Sequence, residues 1–418
     1  MKVKLITGMA AALMAGWFSA NISAQQLLDP LLVYEPATEN QFMPGGRAAG
    51  MGGAQIAAGD DGSALWYNPA LLTRIRNIEL SGTLSHQRFV NSTNYRGYAS
   101  SEARVNNTSF GGLWAMYPVP TEQGGLTLGF SVNRVRSFDR IFRYFNGSFI
   151  FPETGGEDEN GSLWAWSFGG GIEISPKASV GLSVDILDGT DDYSNFASYR
   201  DPVDGPIEYS LNITDEYAGI SGKIGGVYQA SNSLSLGAVI GLPTSISIEQ
   251  QSSEFLDSAG VRYEDYDGAS YRYTLPFWFG MGAMLSFADL SIAGDISYVD
   301  YTQLRYKSGF ADLSRANLTA MEYYNDAVNL HVGVEYLVRT ADLRLRAGYF
   351  RQPSPFNWFP VNTQPHYFTL GAGILIDRTI NLDLALLAGS FEREDRDINT
   401  IEEYDTQRFL MTVSYRIK

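Results

Sequence analysis

The sequence predicts an all-β membrane protein: a fourteen-stranded antiparallel outer-membrane β-barrel with a small N-terminal helical hatch in its lumen. Three observations carry this. From about Glu79 to Lys418 the chain runs in alternating apolar and polar residues, its connectors switch between long and very short, and a leader for export precedes both.

The leader comes first. Lys2 and Lys4 precede the apolar run from Leu5 to Ala20, and small residues follow as far as Ala24. Positive charge, a short greasy stretch and a small-residue cleavage site make a cleaved secretory signal peptide over 1–24; a membrane-spanning helix needs a longer run and a stop-transfer flank. No later segment holds about 18 consecutive apolar residues. The exported chain therefore either dissolves or closes into a barrel.

Residues 25–77 have a different character, concentrated between Pro44 and Arg74, and do not alternate. Gly45, Gly46, Gly50, Gly52 and Gly53 permit tight turns and close backbone approach. Asp60, Asp61 and Ser63 offer a helix N-cap, and Asn68-Pro69 forces a turn. The segment reads as a compact plug of short helices, with the barrel taking residues 78–418.

The strands follow. Phe409, Met411, Val413, Tyr415 and Ile417 alternate with Arg408, Leu410, Thr412, Ser414 and Arg416, and the same period of two recurs over 328–336 and 179–186. Alternation alone does not separate a barrel from a soluble sandwich. The connectors do. Long acidic ones fall near 88–107, 138–162, 188–215, 249–270, 302–326, 351–365 and 391–406, with tight ones near 118–124, 175–177, 230–233, 288–289, 339–342 and 377–379. Seven long and six short is the count for fourteen spans of roughly 9–11 residues with both ends in the periplasm.

Composition agrees and narrows the function classes. With 44% hydrophobic residues, 43 Gly and 25 Tyr, the chain suits strands that turn apolar groups to lipid and small groups inward. It has no cysteine, which excludes disulfides and thiolate chemistry. The net charge of −16 sits almost wholly in the outer connectors, disfavours nucleic acid and fits a solvated surface beside outer-membrane lipid. GMGGA at 50–54 lacks the strand and the Lys-Ser/Thr pair of a phosphate cradle. His86, His331 and His366 are scattered, and no serine is singled out as a nucleophile. Neither an enzyme nor a cofactor nor a metal site is expected.

Candidate ligand contacts come from the strand pattern. Trp278 and Met284 make one inward face unusually greasy, as a hydrophobic cargo requires. Arg344 and Arg346, adjacent on another inward face, suit a carboxylate headgroup. Pro243 and Pro276 each remove a ladder donor and predict kinks in the wall. Prolines 353, 355, 360 and 365 with Phe356, Trp358 and Phe359 predict a stiff aromatic outer loop.

One stretch adds a resemblance. Gly45-Gly46-Arg47-Ala48, Gly50 to Gly53, Asp60-Asp61 and then Asn68-Pro69-Ala70-Leu71 resemble the hatch of the FadL/TodX outer-membrane transport family, the Asn-Pro-Ala after an acidic pair being its most specific mark. The resemblance implies a plugged barrel in a Gram-negative outer membrane that takes up a hydrophobic small-molecule ligand, such as a long-chain fatty acid or an aromatic hydrocarbon. It also implies lateral exit through a gap made by a kinked strand, with Gly52, Gly53, Asp60, Asp61, Asn68, Pro69 and Ala70 holding the hatch. The same hatch and barrel occur in PorV-type proteins, which dock secreted proteins or secretion machinery, and that is the alternative partner.

Overall fold

A computed structural model describes residues 43–417 except 96, 98–99, 147–152, 202–204, 259, 356–360, 378 and 396–398. The leader, and Phe356, Trp358, Phe359 and Pro360 of the sixth outer loop, lie outside the described residues.

The chain forms a closed antiparallel barrel of fourteen strands. They are β1 (Ile78–Asn94), β2 (Ser101–Val119), β3 (Leu126–Ser137, continuing as Arg140–Asn146), β4 (Glu153–Ser175), β5 (Ala178–Asp201), β6 (Gly205–Gln229) and β7 (Leu234–Gly241 with Thr244–Ser258). The second half comprises β8 (Val261–Leu275 with Trp278–Phe287), β9 (Leu290–Asp300 with Arg305–Ser308), β10 (Asp326–Val338), β11 (Leu343–Arg351), β12 (Val361–Ile376), β13 (Ile380–Asp395) and β14 (Thr400–Ile417). Closure comes from β1 on β14, in register from Ile78↔Ile417 to Asn94↔Ile401.

Alternation decides which side faces what. On β14, Phe409, Val413, Tyr415 and Ile417 are exposed outward while Arg408, Leu410, Thr412 and Ser414 are buried inward. Leu80, Leu128, Phe168, Leu182, Ile224, Met281, Val332 and Leu370 continue the outer belt around the circumference. An apolar skin of that extent is untenable in water and is matched by bilayer hydrocarbon.

The long connectors differ from expectation. β5 and β6 run for 24 and 25 residues, so most of 188–215 is hairpin rather than loop, and 138–162 and 249–270 behave likewise. Their polarity reflects strands that have left the bilayer for water, where both faces can be polar while the ladder stays paired. Pro243 and Pro276 each break a strand in two and face each other across the β7–β8 ladder, which stops at Gly241↔Trp278 and resumes at Thr244↔Leu275, while both halves of β7 stay paired with β6.

Candidate functional site: hatch, aromatic lumen and split wall

The hatch comprises a single helical turn, α1 (Gly46–Gly50), a second, α2 (Ala64–Tyr67), and a 3-10 helix over Pro69–Arg74. It spans the lumen, with α1 against β11–β14 and the 3-10 helix against β3–β6. Asn68 is its keystone. Its side chain is fully buried, accepts from Ala70 N at 3.1 Å as the N-cap of the 3-10 helix, and donates to Ile56 O at 2.7 Å and Gly226 O at 3.2 Å. Pro69 fills the first helical position, where its missing N–H costs nothing. A Cβ on Gly225 would stand 2.0 Å from Asn68 Oδ1 and one on Gly333 would stand 2.3 Å from Met51 O, so bare backbone in the wall is what admits the hatch. Gly52, at φ +62, makes the matching approach from the hatch side. Gly53, at φ +77, completes the turn, and Gly52 O meets His331 Nδ1 at 2.7 Å.

Charge ties this plug to the wall. The Asp295 carboxylate accepts from Gln55 N and Ile56 N at 2.5 and 2.8 Å, and Glu79 accepts from Gly62 N at 2.8 Å. Arg47 lies between Asp60 at 3.2 Å and Glu335 at 3.4 Å. Burial works against its charge, but Asp60, Glu335, Asp61 and Asp383 together hold its pKa above the ordinary value. The expected helix cap by the acidic pair is corrected here. Ser63 precedes α2 without a side-chain cap, Asp60 pairs with Arg47, and Asp61 folds onto Ser63 N at 2.9 Å as a local turn. Burial pushes the Asp61 carboxyl up to about 6, with Arg47 opposing and Glu79 reinforcing.

The expected ligand contacts land on the hatch. Arg346 is wholly buried and commits its guanidinium to Glu335 at 2.7 Å and Asp383 at 2.6 Å, which leaves its charge neutralised and removes the basis for a headgroup role. Arg344, half-buried, lies 4.0 Å from Glu335. Met284 does point inward, but onto Met51, Ala54 and Ala58 of the hatch. Trp278 also faces the lumen, lying across Gly241 and Gly280 beside Ile56.

Beyond the hatch, on the outer side, the lumen is aromatic. Val135, Phe138, Ala165, Leu187, Tyr217 and Ile248 join Tyr271 and Tyr273 in one buried cluster that rests on Trp66 of the hatch. Its roof comes from the connector after Asp300, which folds into a short strand laid on β8 and a helix, α3 (Leu313–Tyr323), N-capped by Asp312. Tyr306 of this insertion packs on Phe310 at 4.5 Å, and Phe138 stacks on Tyr217 at 5.3 Å. Sequence reasoning missed this cluster, because its members come from seven separated segments and share only an inward register.

Next to the cluster the wall splits. β2 pairs with β1 from Ser101 to Met116, yet with β3 only over Gly112–Val119. Above Asn133, β3 leaves β2, stays on β4, and turns inward so that every residue from Asn133 to Asp139 is buried. Its continuation Arg140–Asn146 tucks behind the β1–β2 hairpin, where Tyr95 stacks on Tyr144 at 4.1 Å. Side chains replace the missing ladder. Arg134, buried, donates to Ser109 Oγ on β2 at 2.7 Å, to Ser162 Oγ on β4 at 2.7 Å and to Gly161 O at 3.0 Å, and Asn107 of β2 donates to Asp139 at 2.8 Å. On the outside Phe110 of β2 and Trp164 of β4 stack directly, with centroids 6.2 Å apart, over the strand that has dropped away between them. The sequence does carry a signal for this: Val132, Val135 and Phe138 follow a period of three where a strand needs two.

No family model matches the sequence, and no curated protein matches it. Solved structures do. The Pseudomonas putida toluene transporter TodX superposes with a TM-score of 0.64 at 16% identity, over 90% of this chain and 99% of that one. A Pseudomonas aeruginosa FadL homologue gives 0.62 at 14% identity, over 91% and 99%. The Ralstonia pickettii toluene transporter TbuX gives 0.60 at 16%, over 90% and 98%. With a plugged fourteen-stranded barrel and this likeness along nearly its whole length, the chain has the fold of the FadL/TodX outer-membrane barrels.

Proposed function

We propose that this barrel carries hydrophobic small molecules, fatty acids or aromatic hydrocarbons, passively across the outer membrane of a Gram-negative cell. The observation that carries the reading is the split between β2 and β3 beside the lumen's aromatic cluster. An apolar solute held among Tyr217, Tyr271 and Phe138 is one strand away from bilayer hydrocarbon, and sideways release spares it a passage through periplasmic water. The hatch closes the straight route below. Two of the solved neighbours are toluene transporters and a third is a FadL homologue, which supports a cargo of this class.

Release through the wall needs Arg134 to let go of β2. Ser109 and Ser162 hydrogen-bond the same guanidinium, and the chain has no cysteine of its own, so Ser109→Cys with Ser162→Cys gives one addressable pair. A short reducible thiol cross-linker across that pair should stop uptake of toluene or oleate into cells that depend on this protein, and reduction should restore it. Full uptake with the pair demonstrably bridged would refute exit at the split.

A further inference from the structure

Immediately below the split, the lumen wall carries polar groups that have nothing to bond. Asn133, Ser167 and Ser183 are 0% exposed and Trp114 is 1% exposed, yet Asn133 Oδ1, Ser167 Oγ, Ser183 Oγ and Trp114 Nε1 meet no hydrogen-bond partner among the described residues. The residues follow one another across the wall. Trp114, Ser131, Ser167 and Asp185 are successive register partners across four adjacent strands, with Asn133 one inward position above and Ser183 one below. Asn133 Oδ1 and the Trp114 ring both lie over Gly112. Hatch residues Leu65 and Trp66 close the patch from beneath, and the aromatic cluster begins above it at Ala165. A buried donor or acceptor left empty costs ~1–3 kcal/mol, so several on one patch of a transport lumen mark a place where something with matching groups belongs.

Resting on the uptake reading, we infer that this patch is a subsite for the uncharged hydrogen-bonding head of an otherwise hydrophobic molecule: a phenol or alcohol rather than a plain hydrocarbon or a carboxylate. A hydrocarbon would leave the wall groups unpaired. A carboxylate meets the wrong electrostatics, because Lys223, in register with Ser183, is already neutralised by Asp185 at 2.5 Å and covered by the Trp66 ring at 4.1 Å. The second oxygen of Asp185 has no partner and faces an incoming anion with like charge. A hydroxyl both donates and accepts, which suits either adjacent pair, Asp185 with Ser167 or Asn133 with Trp114. Its apolar body then extends into the Tyr217 and Tyr271 cluster.

The test uses three probes with one body: 4-butylphenol, butylbenzene and 4-butylbenzoate, titrated at about pH 8 onto the purified full-length barrel in detergent and followed by intrinsic tryptophan fluorescence and calorimetry. The phenol should bind about tenfold more tightly than either of the others, one good hydrogen bond being worth roughly that factor. Ser167→Ala and Ser183→Ala, each a loss of one buried hydroxyl, should cut the phenol preference severalfold and leave butylbenzene unchanged. Asn133→Leu should abolish the preference. Should Asn133→Leu fail to fold, as judged by heat-modified gel mobility, the two serine variants carry the test. Equal binding of all three probes, tightest binding of the benzoate, or a preference that survives the serine changes overturns the subsite while leaving uptake intact. Binding of none of them overturns the uptake reading as well.

Discussion

Replacing Asn68 by Ala should loosen the hatch without unfolding the barrel. The fully buried side chain supplies one N-cap and two donated bonds, to Ile56 O within the hatch and to Gly226 O in the wall. Losing the cap costs about 1 kcal/mol. Each buried carbonyl left without its donor adds ~1 kcal/mol, giving roughly 3 kcal/mol in total and a shift on the order of 100-fold in the equilibrium between seated and unseated hatch. Amide hydrogen exchange read by mass spectrometry reports such local opening directly. Peptides covering 44–76 should lose about two orders of magnitude of protection while β10–β14 keep theirs. Asn68→Ser, which retains a capping oxygen but not the two donors, should lose about two-thirds as much on a logarithmic scale. Unchanged hatch protection in Asn68→Ala, or a loss spread evenly over the strands, would refute the claim that this residue holds the plug in place.

Arg346→Met takes the guanidinium from the buried Asp383 carboxylate and leaves Glu335 to Arg47 and Arg344, and should lower barrel stability by about 3–5 kcal/mol in a urea titration, whereas Arg344→Met, half-exposed and 4.0 Å from Glu335, should cost under about 1 kcal/mol. Arg134→Met should open the split, seen as severalfold faster labelling of Ser109→Cys by a lipid-soluble maleimide, and unaltered labelling would count against the guanidinium as the bridge. Hatch protection should also depend on pH. The Asp61 carboxyl titrates near 6 in the folded chain against about 4 when unfolded, so its protonated form favours the seated hatch. That contribution is complete below about pH 4 and lost as pH rises through 6, amounting to roughly 1–2 kcal/mol with partial water contact allowed for. Asp61→Asn should flatten the pH dependence of exchange in 44–76. Gly225→Val drives a side chain into Asn68 and should unseat the hatch as effectively as removing Asn68 itself.

How much of this the sequence disclosed depends on the range over which each feature is determined. A strand's two faces are fixed by a period of two, so the outer belt on β14 and the strand count were readable residue by residue. Turn length and Gly-Pro punctuation are equally local. The lumen is not local. Arg346 looks like a free inward cation until β10 and β13 bring Glu335 and Asp383 to it, and Met284 looks like a ligand contact until the hatch arrives at the same depth. Asp60 resembles a helix cap in sequence, but Arg47, thirteen positions earlier, takes it as an ion-pair partner once the plug folds back on itself. Helix α3 was hidden inside a stretch read as loop, because its apolar residues face a cluster assembled from other strands.

The placement of the split follows from the same contrast. A proline interrupts a strand by deleting one donor, and Pro243 and Pro276 face each other across a β7–β8 ladder that is paired again at Gly241↔Trp278 on one side and Thr244↔Leu275 on the other. Opening a wall takes more: a segment whose side chains prefer the interior over several consecutive positions. Asn133 to Asp139 meets that condition, since Val135 and Phe138 gain an aromatic cluster and Arg134 and Asp139 satisfy each other at 3.3 Å with hydroxyls of both flanking strands around them. Burying that ion pair is tolerable only because Ser109, Ser137, Ser162 and Asn107 complete its hydrogen bonding. The backbone bonds between β2 and β3 above Asn133 thus give way to a few side-chain bonds, Arg134 to Ser109 and Asn107 to Asp139, and these can be released one at a time without disturbing the ladder on either side. A barrel closed by backbone alone has no such place to open.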